Sequence, residues 1–256
     1  MQIALRQVCL VAPELSPVEE DIRAVLDLEV CFRDPSVAQW GLENALFPLG
    51  NEFLEVVAPT EGGTTAGRYL ARRGGAGGYM LITVCDDREA RNAHIEALGV
   101  EVAFAHQSQR MDCMQLHPRS TGGTFFEIDW QAEGLRDPDR WGAAGSEPDV
   151  AAHRRTEVVT GITGIELQSE QPDALAQRWA EIACATLEPD AAGQPSFQIG
   201  PGRVHFVPCT DGRPEGLGGL HLAVRDRDRL LRAAESRGLR RTDDSLELCG
   251  TRLVIA

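Results

Sequence analysis

One order of elements, a strand, a helix and then further strands, recurs four times along the chain, and this recurrence limits the fold more than any other feature. A strand at 5–11 leads to a helix that Ser16 caps, with Pro17 at its first position. β-rich segments around 29–33, 44–49 and 52–57 follow, and Pro59 with a Gly/Thr stretch ends the run. The order returns with a strand at 79–84, a helix at 86–98 stopped by Gly99, and strands at 100–105, 114–117 and 124–130. A third unit has a strand at 162–168, a helix at 172–184 with Leu175, Trp179 and Ile182 on one apolar face, and strands at 196–199 and 203–207. The fourth has a strand at 220–224, an Arg-rich helix at 227–236 ended by Gly238, and strands at 245–248 and 252–255. A unit of this kind must bury its apolar face against another. The pattern predicts an α+β fold of repeated βαβββ modules, four in number, paired into two domains at 1–131 and 158–256, the second shortened. Between them, 132–157 is rich in Gly, Asp, Pro and Ala with little periodicity and is read as a linker.

Composition removes several classes of function. A net charge of −14 and a pI near 4.9 repel a phosphate backbone, so nucleic acid is not an expected partner. All 25 basic residues are Arg, and a chain without lysine makes no Schiff base, which excludes aldolase-type and pyridoxal chemistry. No apolar run reaches bilayer length, and the N-terminus opens on an amphipathic strand pattern, so no membrane association is expected and the location is read as cytoplasmic. The seven cysteines are scattered and never form a CxxC pair; they suggest a reducing compartment and small apolar core residues rather than disulfides or zinc ligands. The glycine-rich stretches 74–78 and 216–219 lack a following Lys-Ser/Thr and are read as turns, not phosphate loops.

The phrase Leu116-His117-Pro118-Arg119-Ser120-Thr121-Gly122-Gly123-Thr124-Phe125-Phe126-Glu127-Ile128, set within the repeated modules, resembles the vicinal oxygen chelate (glyoxalase-like) superfamily, and most of all its methylmalonyl-CoA epimerase branch. Phe53-Leu54-Glu55-Val56-Val57-Ala58-Pro59, a helix through 68–74 and a Gly-rich entry to the next strand follow the same branch, so the resemblance covers most of 1–131. It implies that two modules curl around a shared cavity. There a divalent metal (Zn, Mn, Co, Ni or Fe) is held by one ligand from the first and one from the last strand of each module. On this pattern the first-strand positions fall on Gln7 and Tyr79 and the last-strand positions on Glu55 and Glu127. Gln7, Glu55 and Glu127 are then the metal ligands. Tyr79 departs from the family's His, Gln or Glu, because a phenol with a pKa near 10 is a poor ligand at neutral pH. The epimerase branch also places a carboxylate base on a middle strand of the first module, where this chain has Gln39. An amide cannot abstract a proton, which leaves Gln39 a substrate-binding role.

Alternation along a strand puts Gln7 on one face with Cys9, and Glu55 with Phe53 and Val57, where an unpaired carboxylate is costly. Two readings of Glu55 and Glu127 stay open: a pair that holds a metal or moves a proton, or acids satisfied by neighbouring backbone or Arg. Without a metal, Tyr79 offers its O–H to a substrate carbonyl or enolate. His117 is a catalytic candidate or a residue that stabilises the turn before the last strand, and Arg119 meets an anionic substrate group or water. In the C-terminal half Glu166, His205 and His221 have the composition of a non-haem iron site, against which stands a purely structural second domain. The functions expected are an enzyme of the lyase, isomerase or dioxygenase type on a small carbonyl or enolisable substrate, or a small-molecule binding or sequestering protein of the same fold. A homodimer fits either.

Overall fold

The computed structural model describes residues 2–132 and 150–256. Strand β1 (Ile3–Val11) leads to helix α1 (Leu15–Leu26), which buries Leu15, Ile22, Val25 and Leu26. The helix starts at Leu15 with Glu14 as its cap and no side-chain hydrogen bond there, so Ser16 is not the cap. Pro17 lies within the first turn, where a missing N–H costs nothing. The strand expected at 29–33 does not form. Only a bridge between Phe32 and Leu46 remains, because the Asp34 side chain accepts from Ser36 N and Pro35 supplies a helical φ, which turns the chain into a 3₁₀ helix at Pro35–Trp40. Strands β2 (Leu42–Leu49) and β3 (Glu52–Pro59) then complete a module of three strands instead of four.

Helix α2 (Thr65–Arg73), capped by Thr64 through Gly67 N, carries the chain to β4 (Gly77–Cys85) and α3 (Arg88–Ala97), which Asp87 caps. Strands β5 (Val102–His106) and β6 (Met111–Leu116), a one-turn helix α4 (Pro118–Thr121) and β7 (Phe125–Gln131) finish the second module. Of the expected linker, 133–149 lies outside the described residues. Its end carries a short helix α5 (Val150–His153) with Val150 buried. The remaining elements are β8 (Val159–Ser169), α6 (Pro172–Ala183), β9 (Glu188–Pro189), β10 (Pro195–Ile199), β11 (Gly202–Pro208), β12 (Gly216–Val224), α7 (Arg227–Ser236), β13 (Ser245–Leu248) and β14 (Thr251–Ile255).

These strands make two seven-stranded sheets of matching topology, β2-β3-β1-β4-β7-β6-β5 and β13-β14-β12-β8-β11-β10-β9. In each, the two first strands pair antiparallel at the centre, and each pairs parallel with the last strand of its own module. The lost strand belongs to the first and fourth modules, so each sheet joins a three-stranded module to a four-stranded one.

One continuous apolar core joins the sheets. Trp179 of α6 is wholly buried, stacks on Phe126 of β7 at 4.4 Å and donates from Nε1 to Thr121 O at 2.8 Å. Of the two glycine stretches read as turns, 74–75 is one, ending α2, whereas 77–78 and 216–219 lie in strands at the crossing of the sheets. A side chain at Gly78 would collide with Leu217, and one at Gly123 with the Glu215 carbonyl. Three guanidinium groups tie the remaining carbonyls across the joint. Arg73 donates to Pro214 O and Leu217 O, both at 2.8 Å, Arg91 to Ile182 O at 2.6 Å, and Arg213 to Ala76 O at 2.8 Å. Burying charge at such a seam is tolerable because each guanidinium meets carbonyl dipoles at the end of a helix or strand. No helix among the described residues is long and apolar enough to cross a membrane.

Candidate functional site

The first sheet curls around a cleft of about 1190 Å³ whose floor is the side of β1, β3, β4, β6 and β7 facing away from the shared core. Alternation sends Gln7, Cys9, Glu55 and Val57 into it from β1 and β3, and Phe125, Glu127, Asp129 and Gln131 from β7. The 3₁₀ helix and β5 form its rim, where Trp40 meets Phe104 edge-on with centroids 5.5 Å apart.

The floor holds two separate carboxylate systems. Glu55 accepts from Gln7 Nε2 and from Asn44 Nδ2, each at 2.7 Å, so an amide engages each of its oxygens. Burial pushes its pKa up, against which Asn44, the Cys9 thiol and Gln7 stabilise the anion. The second system has one such amide for two carboxyls. Burial raises Glu127 to about 7, with the Gln115 amide only partly offsetting it. Asp129 is fully inaccessible, and burial followed by the adjacent Glu127 charge holds its pKa well above the ordinary carboxylate range. The Cys113 thiol and Met114 N–H lie close enough to ease that charge, yet neither Asp129 oxygen has a partner at hydrogen-bond geometry. The Cys113 sulfur and the two carboxyls have ligand atoms within 4.8 Å of one another, and burial with the nearby Glu127 charge pushes the thiol strongly up.

The other sequence candidates are more dispersed. Tyr79 lines the cleft between Tyr69 and Phe125, with centroids at 4.9 and 5.2 Å, and burial drives its phenol further above the usual range, so it is an O–H donor and not a phenolate ligand. His117 also lines the cleft, but it caps α4, its Nδ1 accepting from Arg119 N at 3.1 Å, the turn-stabilising arrangement. Gln39 stands on the 3₁₀ helix and not on a strand, exposed at the rim with Nε2 donating to Ser36 O at 2.9 Å; the cause is the turn begun by Asp34 and Pro35. Arg119 is exposed and is not among the residues lining the cleft. Asp129, Cys113 and Asn44 completed the site without being singled out in the sequence. Asp129 was accessible through its i, i+2 spacing from Glu127, whereas Cys113 and Asn44 come from neighbouring strands whose register no local pattern states.

On the same side of the second sheet, Glu166 is engaged by Arg252 Nε at 2.9 Å and His221 Nε2 at 3.0 Å, and His205 Nδ1 meets Asp190 at 2.8 Å. The two imidazoles stack with centroids 4.6 Å apart. Glu166, His205 and His221 are thus brought together, but as hydrogen-bonded side chains filling the space that side chains at Gly164 and Gly219 would need.

Residues 10–183 match the family described as the glyoxalase-like domain, a stretch that runs from the end of β1 to the end of α6. The chain belongs to this glyoxalase-like family, within the vicinal oxygen chelate superfamily. No curated protein matches it in sequence. Among solved structures, a triple variant of 4-hydroxymandelate synthase from Streptomyces coelicolor superposes with a TM-score of 0.68 at 15% identity, covering 93% of this chain and 76% of its own. That likeness spans both sheets and shows their fold. Methylmalonyl-CoA epimerase from the same organism, in complex with 2-nitronate-propionyl-CoA, gives 0.47 at 20% identity over 54% of this chain and 100% of its own. The epimerase from Mycobacterium tuberculosis gives 0.44 at 20% identity, over 50% and 88%.

The metal cage that the glyoxalase-like resemblance implies does not fit the residues at its positions. Parallel register sets Gln7 beside Phe53 and Met80 beside Phe125, and each Phe stands two residues before its Glu. The counterpart of Gln7 is therefore Met80, a soft thioether, and not Tyr79, because a bulge near Leu10 and Gly78 slips the alignment by one. With Glu55 already committed to two amides, the four positions offer a cation little beyond Glu127.

Proposed function

We propose that the protein is an enzyme of the lyase, isomerase or dioxygenase type that acts on a small carbonyl or enolisable compound in the first-sheet cleft. The carrying observation is the Glu127–Asp129 pair: buried acids with no cation among their described partners, on the floor of a cleft large enough for a small organic molecule. Glu127 is the group placed to take a proton from the ligand and return it, with Asp129 holding the exchanged proton close by. Tyr79 donates its O–H to the carbonyl or enolate oxygen. His117 and Gln39 contact the ligand from wall and rim, and Arg119 remains the proposed partner of an anionic substituent reaching beyond the cleft. Gln7 and Glu55 act through their network with Asn44, which fixes the floor, and no step is routed through a metal at these positions.

The test is solvent deuterium exchange at the α-carbon of a panel of small carbonyl compounds, followed by NMR. Glu127→Gln should slow exchange by about 10²–10⁴-fold, while Gln39→Ala should raise KM with little change in kcat. Exchange by Glu127→Gln at the wild-type rate would sink the proposal. The self-satisfied Gln7–Glu55–Asn44 network favours one second reading, a binding protein whose cleft holds a ligand without converting it. That protein would gain thermal stability from a compound recovered unchanged.

A further inference from the structure

Asp129 is the one described residue with two buried side-chain oxygens that lack a hydrogen-bond partner, and its carboxyl lies within 4.8 Å of a second carboxyl and a thiol. A packed interior rarely leaves such atoms unmatched, since each costs about 1–3 kcal/mol. Among the described residues their nearby partners are Gln115, Cys113 and the Met114 N–H, and all of these are neutral. Contrast Glu166 in the second sheet, a buried acid provided with Arg252 and His221.

We infer that Cys113, Glu127 and Asp129 form a site for a divalent cation of borderline-soft character, zinc or cobalt and not magnesium or calcium, displaced from the positions to which the family resemblance points. The donor set of one sulfur and two carboxylate oxygens selects that class, because hard cations take oxygen ligands while zinc and cobalt accept thiolate beside oxygen. The ligand atoms, within 4.8 Å of one another, close on a cation by side-chain rotation, since bonds of about 2.0–2.3 Å set ligands roughly 3.5 Å apart. Three protein ligands leave a fourth position facing the cleft, the arrangement of a site open to water or ligand. Binding displaces the thiol proton, and any proton held on the carboxyls, to solvent. The strand origin explains the site: Glu127 and Asp129 alternate on β7, and Cys113 comes from β6 beside it.

The inference takes the cleft as the functional site but not the proton chemistry proposed for it, and its test reads metal, not turnover. The full chain, freed of metal with a chelator, is titrated with Co²⁺ and with Zn²⁺. One equivalent should bind, and cobalt should give a thiolate charge-transfer band in the near ultraviolet. Cys113→Ser should abolish the band, and both Cys113→Ser and Asp129→Asn should weaken zinc at least about tenfold. Glu55→Gln should bind as wild type does, with circular dichroism reporting that each variant is folded. The inference is overturned if wild type gives no near-ultraviolet band, if Asp129→Asn binds zinc as tightly as wild type, or if Glu55→Gln loses zinc while Asp129→Asn keeps it. Any of those results leaves the deuterium-exchange experiment to stand or fall alone.

Discussion

In the second sheet Glu166 is met by Arg252 and His221 and His205 by Asp190, whereas in the first sheet Glu127 and Asp129 lie close together with no cation among their described partners. The strands beneath these groups follow the same order, so topology alone does not decide what a buried acid experiences. Occupancy of the floor does. Imidazoles and a carboxylate fill the second floor where Gly164 and Gly219 carry no side chain, while the first floor stays open as a cleft. The pKa directions follow: Glu166 is held below its ordinary value, with His221 and Arg252 outweighing the cost of burial, and Glu127 and Asp129 are held above theirs. One sheet has neutralised its acids internally. The other keeps an unmet demand for positive charge, and demand of that sort is what a ligand can answer.

The contrast assumes two floors built on one cooperative frame. Trp179→Ala removes the ring that stacks on Phe126 across the joint and should cost about 3–5 kcal/mol, with both halves still unfolding in a single transition. Two separated transitions in calorimetry of the wild type would break the frame. Arg252→Met withdraws the counter-charge from Glu166 and should cost about 1–3 kcal/mol near neutral pH, toward the lower end because Arg252 is half-exposed. Urea denaturation measures it. Asp129→Asn should do the reverse and stabilise the chelator-treated protein by about 1 kcal/mol, since it removes like charge from a buried pair. A loss of stability there would show that the carboxyl is satisfied after all. Smallest is a pH effect. Because folding lowers the Glu166 pKa, the folded state binds fewer protons than the unfolded chain. Its contribution is therefore present above the ordinary carboxyl value of 4.5 and is lost as pH falls through the folded value. Glu166→Gln should flatten the acid limb of the stability curve, whereas Glu43→Gln, on the exposed side of β2, should not.

Much of the frame could be read from residues. The family resemblance put Glu55 and Glu127 on last strands, alternation put Glu55 on one face with Phe53 and Val57, and the caps Thr64, Asp87 and Asp226 sit where side-chain oxygens meet free N–H groups. Residues 29–33 misled because their composition suits a strand, while Asp34 and Pro35 just beyond impose a helical turn whose strength shows only once its hydrogen bonds are counted. Tyr79 and Met80 were exchanged for a similar reason: a bulge in the β1–β4 ladder changes which residue faces which, and a bulge leaves no mark in the alternation of one strand. The lone state of Asp129 was hidden more deeply. That an acid lacks a partner is a property of everything around it, and β6 supplies that surrounding from a register set by tertiary contacts.

The joint between the sheets has a chemical consequence of its own. Its cationic ties, Arg73, Arg91 and Arg213, are guanidinium groups in a chain without a single lysine. A guanidinium keeps its charge at any pH the fold survives and offers no amine to acetylate or acylate. Reagents that modify lysine side chains therefore leave these ties untouched, and the vicinal dicarbonyls, electrophiles that seek out guanidinium, reach Arg73 and Arg91 last because both are buried.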